Sequence, residues 1–154
     1  MSEASLMTQQ LDALLFEEQD QTANLANASA LLMQSLSNIN WAGFYLYQPA
    51  NDELVLGPFQ GKVACMHIKN GAGVCGSALQ NKKVQRVANV HDFPGHIACD
   101  SDSNAEIVVP LYTASGQPIG VMDIDSTTLD RFSPADEEQL VEFANVLVQH
   151  IDSH

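Results

Sequence analysis

Positive charge is what this sequence has least of: 6 Lys and Arg stand against 19 Asp and Glu in 154 residues, for a formal charge of -13 at pH 7. Neutralising a phosphate backbone takes a basic face, so a nucleic-acid partner is excluded, and an anionic membrane surface is disfavoured on the same ground. Long hydrophobic runs are missing too. No apolar stretch approaches the ~20 residues needed to span a bilayer. The opening MSEASLMTQQLDALLFEEQD mixes acids with leucines at helical spacing, where a secretion signal would place a basic segment ahead of an apolar one. The expectation is a cytoplasmic protein. Repeats, low-complexity tracts and linkers are also lacking, and the length is close to the ~150 residues of one typical domain, so residues 1–154 are expected to form a single domain. A chain of that length needs neither disulfide nor metal to hold a core.

Cysteine is scarce and odd in number: Cys65, Cys75 and Cys99. In a reducing compartment this points to thiol chemistry or packing rather than to a disulfide framework. The few cations are also unevenly placed. Glu53 and Asp92 bound a stretch with no acid, and Lys62, Lys69, Lys82, Lys83 and Arg86 all fall inside it, leaving only Arg131 elsewhere. One reading is a solvated basic face; the other is a local field that favours thiolates at Cys65 and Cys75 and a substrate carboxylate.

What is present reads as an α+β arrangement, an antiparallel central sheet flanked by N-terminal and C-terminal helices. Leu6, Leu11, Leu14 and Leu15, then Leu25, Leu32 and Leu36, recur at helical spacing and predict two helices within residues 1–38. WAGFYLY, the turn-like QPANDE and LVLGPF predict a hairpin from Trp41. Val63 to Ile68 reads as a further short strand, GAGVCGSALQN as a glycine-rich entry into a short helix, and VQRVANV as strand again. NVHDFPGHIACDSDS, Asn89 to Ser103, has no sustained period and reads as loop. EIVVPLYT and PIGVMDID are strands joined by ASGQ. Ser133 and Pro134 then start a helix whose apolar face carries Leu140, Phe143, Ala144 and Leu147.

Three groups of residues carry candidate chemistry. Free cysteines are mostly buried small hydrophobes, but three together, one of them in the loop element His96-Ile-Ala-Cys99, make a stronger signal. From first principles Cys75 is the better nucleophile: it sits near a helix start inside the cationic stretch, and both effects lower a thiol pKa, whereas Asp92, Asp100 and Asp102 surround Cys99 in sequence. Glu106, Asp123 and Asp125 form the second group. Asp123 and Asp125 lie at i and i+2 on one strand and so share a face, and carboxyls this close among Ile107, Val108, Val121, Met122 and Ile124 should retain a proton near neutral pH. The alternative leaves Asp125 capping a turn and Asp123 facing solvent. Trp41 and Tyr45, on one strand face with Gly43 between them, are the third group, able either to wall a small apolar pocket or to fill core.

The strings NWAGFYLY, GPFQGK, GVCG, DFPGHIACDSDSNAEIVVPL and GVMDIDS, in this order from about Asn40 to Ile151, closely resemble the free methionine-R-sulfoxide reductases, a family built on a single GAF domain. GVMDIDS alone points only to a GAF-like domain; HIACD and all three cysteines make the resemblance specific. It implies an oxidoreductase that reduces free L-methionine (R)-S-oxide through a cysteine sulfenic acid and a disulfide, with no bound cofactor or metal, recycled by thioredoxin, and a homodimer. It also implies Cys99 as nucleophile, Cys65 as the main resolving thiol and Cys75 as an alternate, against the first-principles preference for Cys75. Glu106, Asp123 and Asp125 would hold the sulfoxide oxygen through shared protons, and Trp41 and Tyr45 would enclose the S-methyl group. The stretch MHIKNGAG departs most from the family pattern and leaves the choice between Cys65 and Cys75 open. His67 and His96 are expected at the pocket edge without a catalytic role. A non-catalytic GAF small-ligand sensor is the alternative function. A structural zinc site on Cys65, Cys75, Cys99 and His96 is disfavoured, because no C-x2-C pair is present.

Overall fold

Side-chain alternation along three long central strands sets the architecture. The structure, a computed structural model, describes residues 5–95 and 102–152. In chain order the elements are α1 (Leu6–Leu14), α2 (Gln21–Ser35), β1 (Trp41–Gln48), β2 (Glu53–Gln60), β3 (His67–Lys69), α3 (Gly73–Asn81), β4 (Gln85–Val87), a single 3-10 turn (Val90–Asp92), β5 (Ala105–Tyr112), β6 (Pro118–Ser126) and α4 (Pro134–Ile151). The strands form one sheet in the order β3-β2-β1-β6-β5-β4, and its neighbouring strands run antiparallel. This is the α+β arrangement the sequence predicts.

Every second residue of the central strands faces one side. Ala42 and Phe44 of β1, Ile107, Val109 and Leu111 of β5, and Met122 and Ile124 of β6 pack with Leu11 of α1, Leu25 and Leu32 of α2, and Leu140, Phe143 and Leu147 of α4. Each large side chain fully removed from water there contributes about 1.5–3 kcal/mol. The intervening residues, Trp41, Tyr45, Val108 and Val121, face the opposite side and pack with Val74, Ala78 and Leu79 of α3. Among the described residues the sheet is therefore covered by three helices on one face and one short helix on the other, and the thinly covered face has room for a site.

The helix starts follow their local signals. Asp20 accepts from Ala23 N at 2.9 Å to cap α2, and Ser133 and Asp136 make a reciprocal capping box on α4, with Pro134 at the first turn. At Gly76 an added Cβ would lie 2.5 Å from the Lys69 carbonyl oxygen, so only glycine lets α3 pack this close behind β3.

The segment after β2 departs from expectation. Val63 to Ile68 is not a strand: β3 begins at His67, and Val63 and Met66 stand 88% and 69% exposed. Two β1 side chains hold this backbone in place of strand pairing. Trp41 Nε1 donates to the Lys62 carbonyl at 3.1 Å, and the Tyr45 hydroxyl donates to the Cys65 carbonyl at 2.9 Å. The segment thus passes over the pocket-side face of the sheet.

Candidate active site

Glu106, Asp123 and Asp125 come together on the pocket-side face because β5 and β6 are paired in a register that places Glu106 beside Asp125 and Val108 beside Asp123. On the other side β1 sets Trp41 beside Asp125 and Gly43 beside Asp123. The shared face expected of Asp123 and Asp125 is what the strand delivers, and the solvent-facing alternative for Asp123 is not: it is 5% exposed and Glu106 8%. One oxygen of Asp123, Oδ1, is buried with no hydrogen-bond donor facing it. Burial, then the charges of Asp125 and Glu106, then hydrogen bonds to the same two groups, push the Asp123 carboxyl well above the usual carboxylate range. A carboxyl held protonated among acceptors is a proton donor.

Cys75 lies across from these carboxyls. It is the third residue of α3, 5% exposed, and its Sγ stands 3.8 Å from Glu106 Oε2, within reach of a thiol hydrogen bond. The expectation that a helix start and nearby cations would lower its pKa is corrected here. Burial pushes the Cys75 thiol up, and the charges of Asp123, Glu106 and Asp125 push it further. The cations that are close in sequence serve elsewhere: Lys62 pairs with Asp102 at 2.9 Å and Arg86 with Glu137 at 3.0 Å, while Lys69, Lys82 and Lys83 are exposed. Sequence proximity placed charge near Cys75; the fold placed carboxyls there instead.

The aromatic wall is built on β1. Trp41 and Tyr45 are separated by four residues, roughly 13 Å along a strand, yet their ring centroids are 5.9 Å apart at 22°. Gly43, midway between them in sequence, lies against Phe59 of β2 rather than carrying a side chain of its own. An added Cβ on Gly43 would lie 2.2 Å from Phe59 Cβ, and Phe59 stacks on Trp41 at 5.1 Å and 16°. Burial and the neighbouring carboxylates push the Tyr45 hydroxyl far up, so it stays a donor, and its acceptor is the Cys65 carbonyl. Cys65 is half-buried and disulfide-bonded, and Cys75 is the free thiol among the described cysteines.

One pocket is lined by Trp41, Tyr45, Cys75, Glu106, Asp123 and Asp125, all of them singled out from sequence. Its wall also includes Val63, Ala64, Ile68 and Ser103, which sequence reasoning did not single out, along with residues of the α3 entry. Exposed Val63 and half-buried Ala64 carried no functional signal, and Ser103 was hidden in an aperiodic acidic loop. Cys99 and His96 lie outside the described residues. His67 is exposed and directs Nδ1 to Glu53 Oε1 at 2.9 Å on the β2-β3 edge, so the pocket-edge position expected of it is not where the fold puts it.

The sheet order, the helix-covered face and the enclosed acid-and-thiol pocket define the class. A family model described as GAF domain matches residues 22–152. The chain is 54% identical over 134 residues to the Free methionine-R-sulfoxide reductase of Escherichia coli (strain K12), covering 87% of this chain and 79% of that one. It is similar to the X-ray structure of free methionine-R-sulfoxide reductase from Neisseria meningitidis in complex with its substrate, with a TM-score of 0.91 and 40% identity over 99% of this chain and 94% of that one. A putative GAF sensor protein from Burkholderia vietnamiensis gives the same TM-score, 0.91, at 49% identity over 94% of this chain and 90% of that one. The chain belongs to the free methionine-R-sulfoxide reductase family of GAF domains.

Proposed function

We propose that this protein reduces free L-methionine (R)-S-oxide to L-methionine through thiol chemistry in the pocket beneath residues 62–65. The observation that carries the reading is the buried carboxyl group: Asp123, 5% exposed and held above the usual carboxylate range beside Glu106 and Asp125, offers a proton where a polarised S–O oxygen would sit. Buried carboxyls are costly to a fold and are retained where they act on a ligand. The Trp41 and Tyr45 rings suit the S-methyl group, and the likeness to substrate-bound reductases supports the same substrate.

In the proposed cycle the Cys99 sulfur attacks the sulfoxide sulfur, the S–O bond breaks, and the oxygen leaves with the cysteine as a sulfenic acid while methionine departs. A proton donated from the Asp123, Glu106 and Asp125 group assists S–O cleavage and is recovered from the attacking thiol. A second thiol, Cys65 in the first instance and Cys75 as alternate, displaces water from the sulfenic acid and closes a disulfide. Thioredoxin reduces that disulfide, so its two electrons and two protons account for methionine and water. Cys65 as the disulfide-bonded cysteine and Cys75 as the free one support that order. Backbone amides around Cys99 would receive the substrate carboxylate. The protein would act in the cytoplasm as a homodimer with no bound cofactor. Among the described residues no helix is long and apolar enough to cross a membrane.

The test is thioredoxin-coupled NADPH consumption with the two free methionine sulfoxide epimers offered separately. Turnover of the R epimer alone is the expected result. Absence of turnover by reduced protein removes the enzyme reading and leaves a small-ligand sensor.

A further inference from the structure

We propose that Cys75, Glu106 and Asp123 form a binding site for a thiophilic divalent cation of the Zn2+ type on the floor of the pocket. The three donors come from three different elements, α3, β5 and β6, and the Cys75 Sγ and one oxygen of each carboxyl all lie within 4.8 Å of one another. Zn–S bonds of about 2.3 Å and Zn–O bonds of about 2.0–2.2 Å place the ligands of a tetrahedral ion roughly 3.3–3.7 Å apart. The Cys75 to Glu106 separation, 3.8 Å, is only slightly longer than that spacing, and side-chain shifts of about 1 Å bring in the third donor.

A second observation, the hydrogen bonding of Asp123, also points to a ligand. Asp123 is 5% exposed, lines the pocket, and has Oδ1 buried with no donor facing it. A buried acceptor left without a donor is costly, and a cation bound beside it removes that cost together with the repulsion among the carboxyls. One sulfur and two oxygens select against Mg2+ and Ca2+, which take all-oxygen shells, and in favour of Zn2+ or Cd2+. All three residues line the pocket, whose free space offers a fourth position to water. On binding, the thiol proton and any carboxyl proton pass to solvent, and no redox change occurs. This set differs from the four-ligand site that the lack of a C-x2-C pair disfavoured: its donors are far apart in sequence and meet only across the sheet. Metal is therefore brought back as a ligand of the pocket, against the sequence-based expectation of none. If the proposed function holds, the cation and the sulfoxide oxygen compete for the same carboxyls, and the ion inhibits.

Cd2+ titration of the Cys65→Ser/Cys99→Ser variant, whose sole thiol is Cys75, tests the site. The expected result is one ion per chain with a cadmium–thiolate charge-transfer absorption that Zn2+ displaces and Mg2+ does not. The absorption should vanish on adding Cys75→Ser, and the affinity should fall about tenfold or more in the near-isosteric Asp123→Asn and Glu106→Gln backgrounds. No charge-transfer band, or a band whose affinity is indifferent to both carboxamides, overturns the proposal, since the thiol would then bind alone. Displacement of Cd2+ by methionine sulfoxide links the two occupants. A normal band that methionine sulfoxide does not displace upholds the metal site and counts against the substrate placement, so the two readings fail separately.

Discussion

The Tyr45 hydroxyl donates to the carbonyl oxygen of Cys65 at 2.9 Å, tying the strand that walls the pocket to the segment that carries the disulfide-bonded cysteine. The ring and the hydroxyl of Tyr45 thus have different jobs. The ring leans on Trp41, and the hydroxyl sets where residues 62–65 run. Tyr45→Phe keeps the first and removes the second. Its expected cost in stability is about 0.5–1.5 kcal/mol, the net worth of one hydrogen bond. Single-turnover mixing should show disulfide closure slowed more than methionine release. Equal slowing of both steps would mean that the hydroxyl serves the substrate rather than the Cys65 segment.

The roles proposed for the three thiols separate in kinetics. Cys99→Ser should abolish turnover. Cys65→Ser should release about one methionine per chain and then stall as a sulfenic acid unless Cys75 resolves it. Cys75→Ser should retain multiple turnover. Mass spectrometry of the stalled species distinguishes a sulfenic acid from a disulfide to Cys75, and multiple turnover by Cys99→Ser would remove the nucleophile assignment.

Asp123 gives a pH dependence whose sign follows from its raised pKa. The folded state holds this proton more tightly than the unfolded chain, so the associated stability is fully present below the unfolded value of 3.8 and is lost as pH rises from there through the folded pKa. Asp123→Asn removes that loss. The stability of the wild-type protein relative to Asp123→Asn should therefore fall with rising pH from about 4 upward, by at most about 1.4 kcal/mol per pH unit. Denaturant titrations at several pH values check it; a constant difference would mean that Asp123 titrates normally. The same variant should slow sulfoxide reduction while leaving titration of the free thiols intact.

Gly43 is predicted to be intolerant of even a methyl group. A Cβ there would lie 2.2 Å from Phe59 Cβ and 2.7 Å from Phe59 Cα, and backbone cannot swing aside as a flexible side chain can. Gly43→Ala should cost about 1–3 kcal/mol and should also weaken substrate binding, because displacing Phe59 disturbs the Trp41 ring that stacks on it. A melting temperature close to wild type would show that the β1-β2 bulge between Gly43 and Tyr45 can absorb the displacement.

Much of the site was legible because a strand's period is two. Asp123 and Asp125 had to share a face once GVMDIDS was read as a strand, Trp41 and Tyr45 likewise, and the α4 cap at Ser133 is a purely local signal. Val63 to Ile68 misled because its apolar, β-branched composition was offset by two side-chain bonds, to Lys62 and Cys65, from residues 21 and 20 positions away, which the segment itself does not encode.

The amino-acid sequence alone determined the acidic balance, the element order, the alternation that sorts each strand into a core face and a pocket face, and the family motifs. Only the tertiary structure decided the environment of Cys75. Helix position and neighbouring lysines argued for an easily ionised thiol, while pairing β6 between β1 and β5 set Glu106, Asp123 and Asp125 against it and turned the cations outward. Electrostatic energy depends on distance through space and on exclusion of water, and both are set by strand register and burial rather than by separation along the chain.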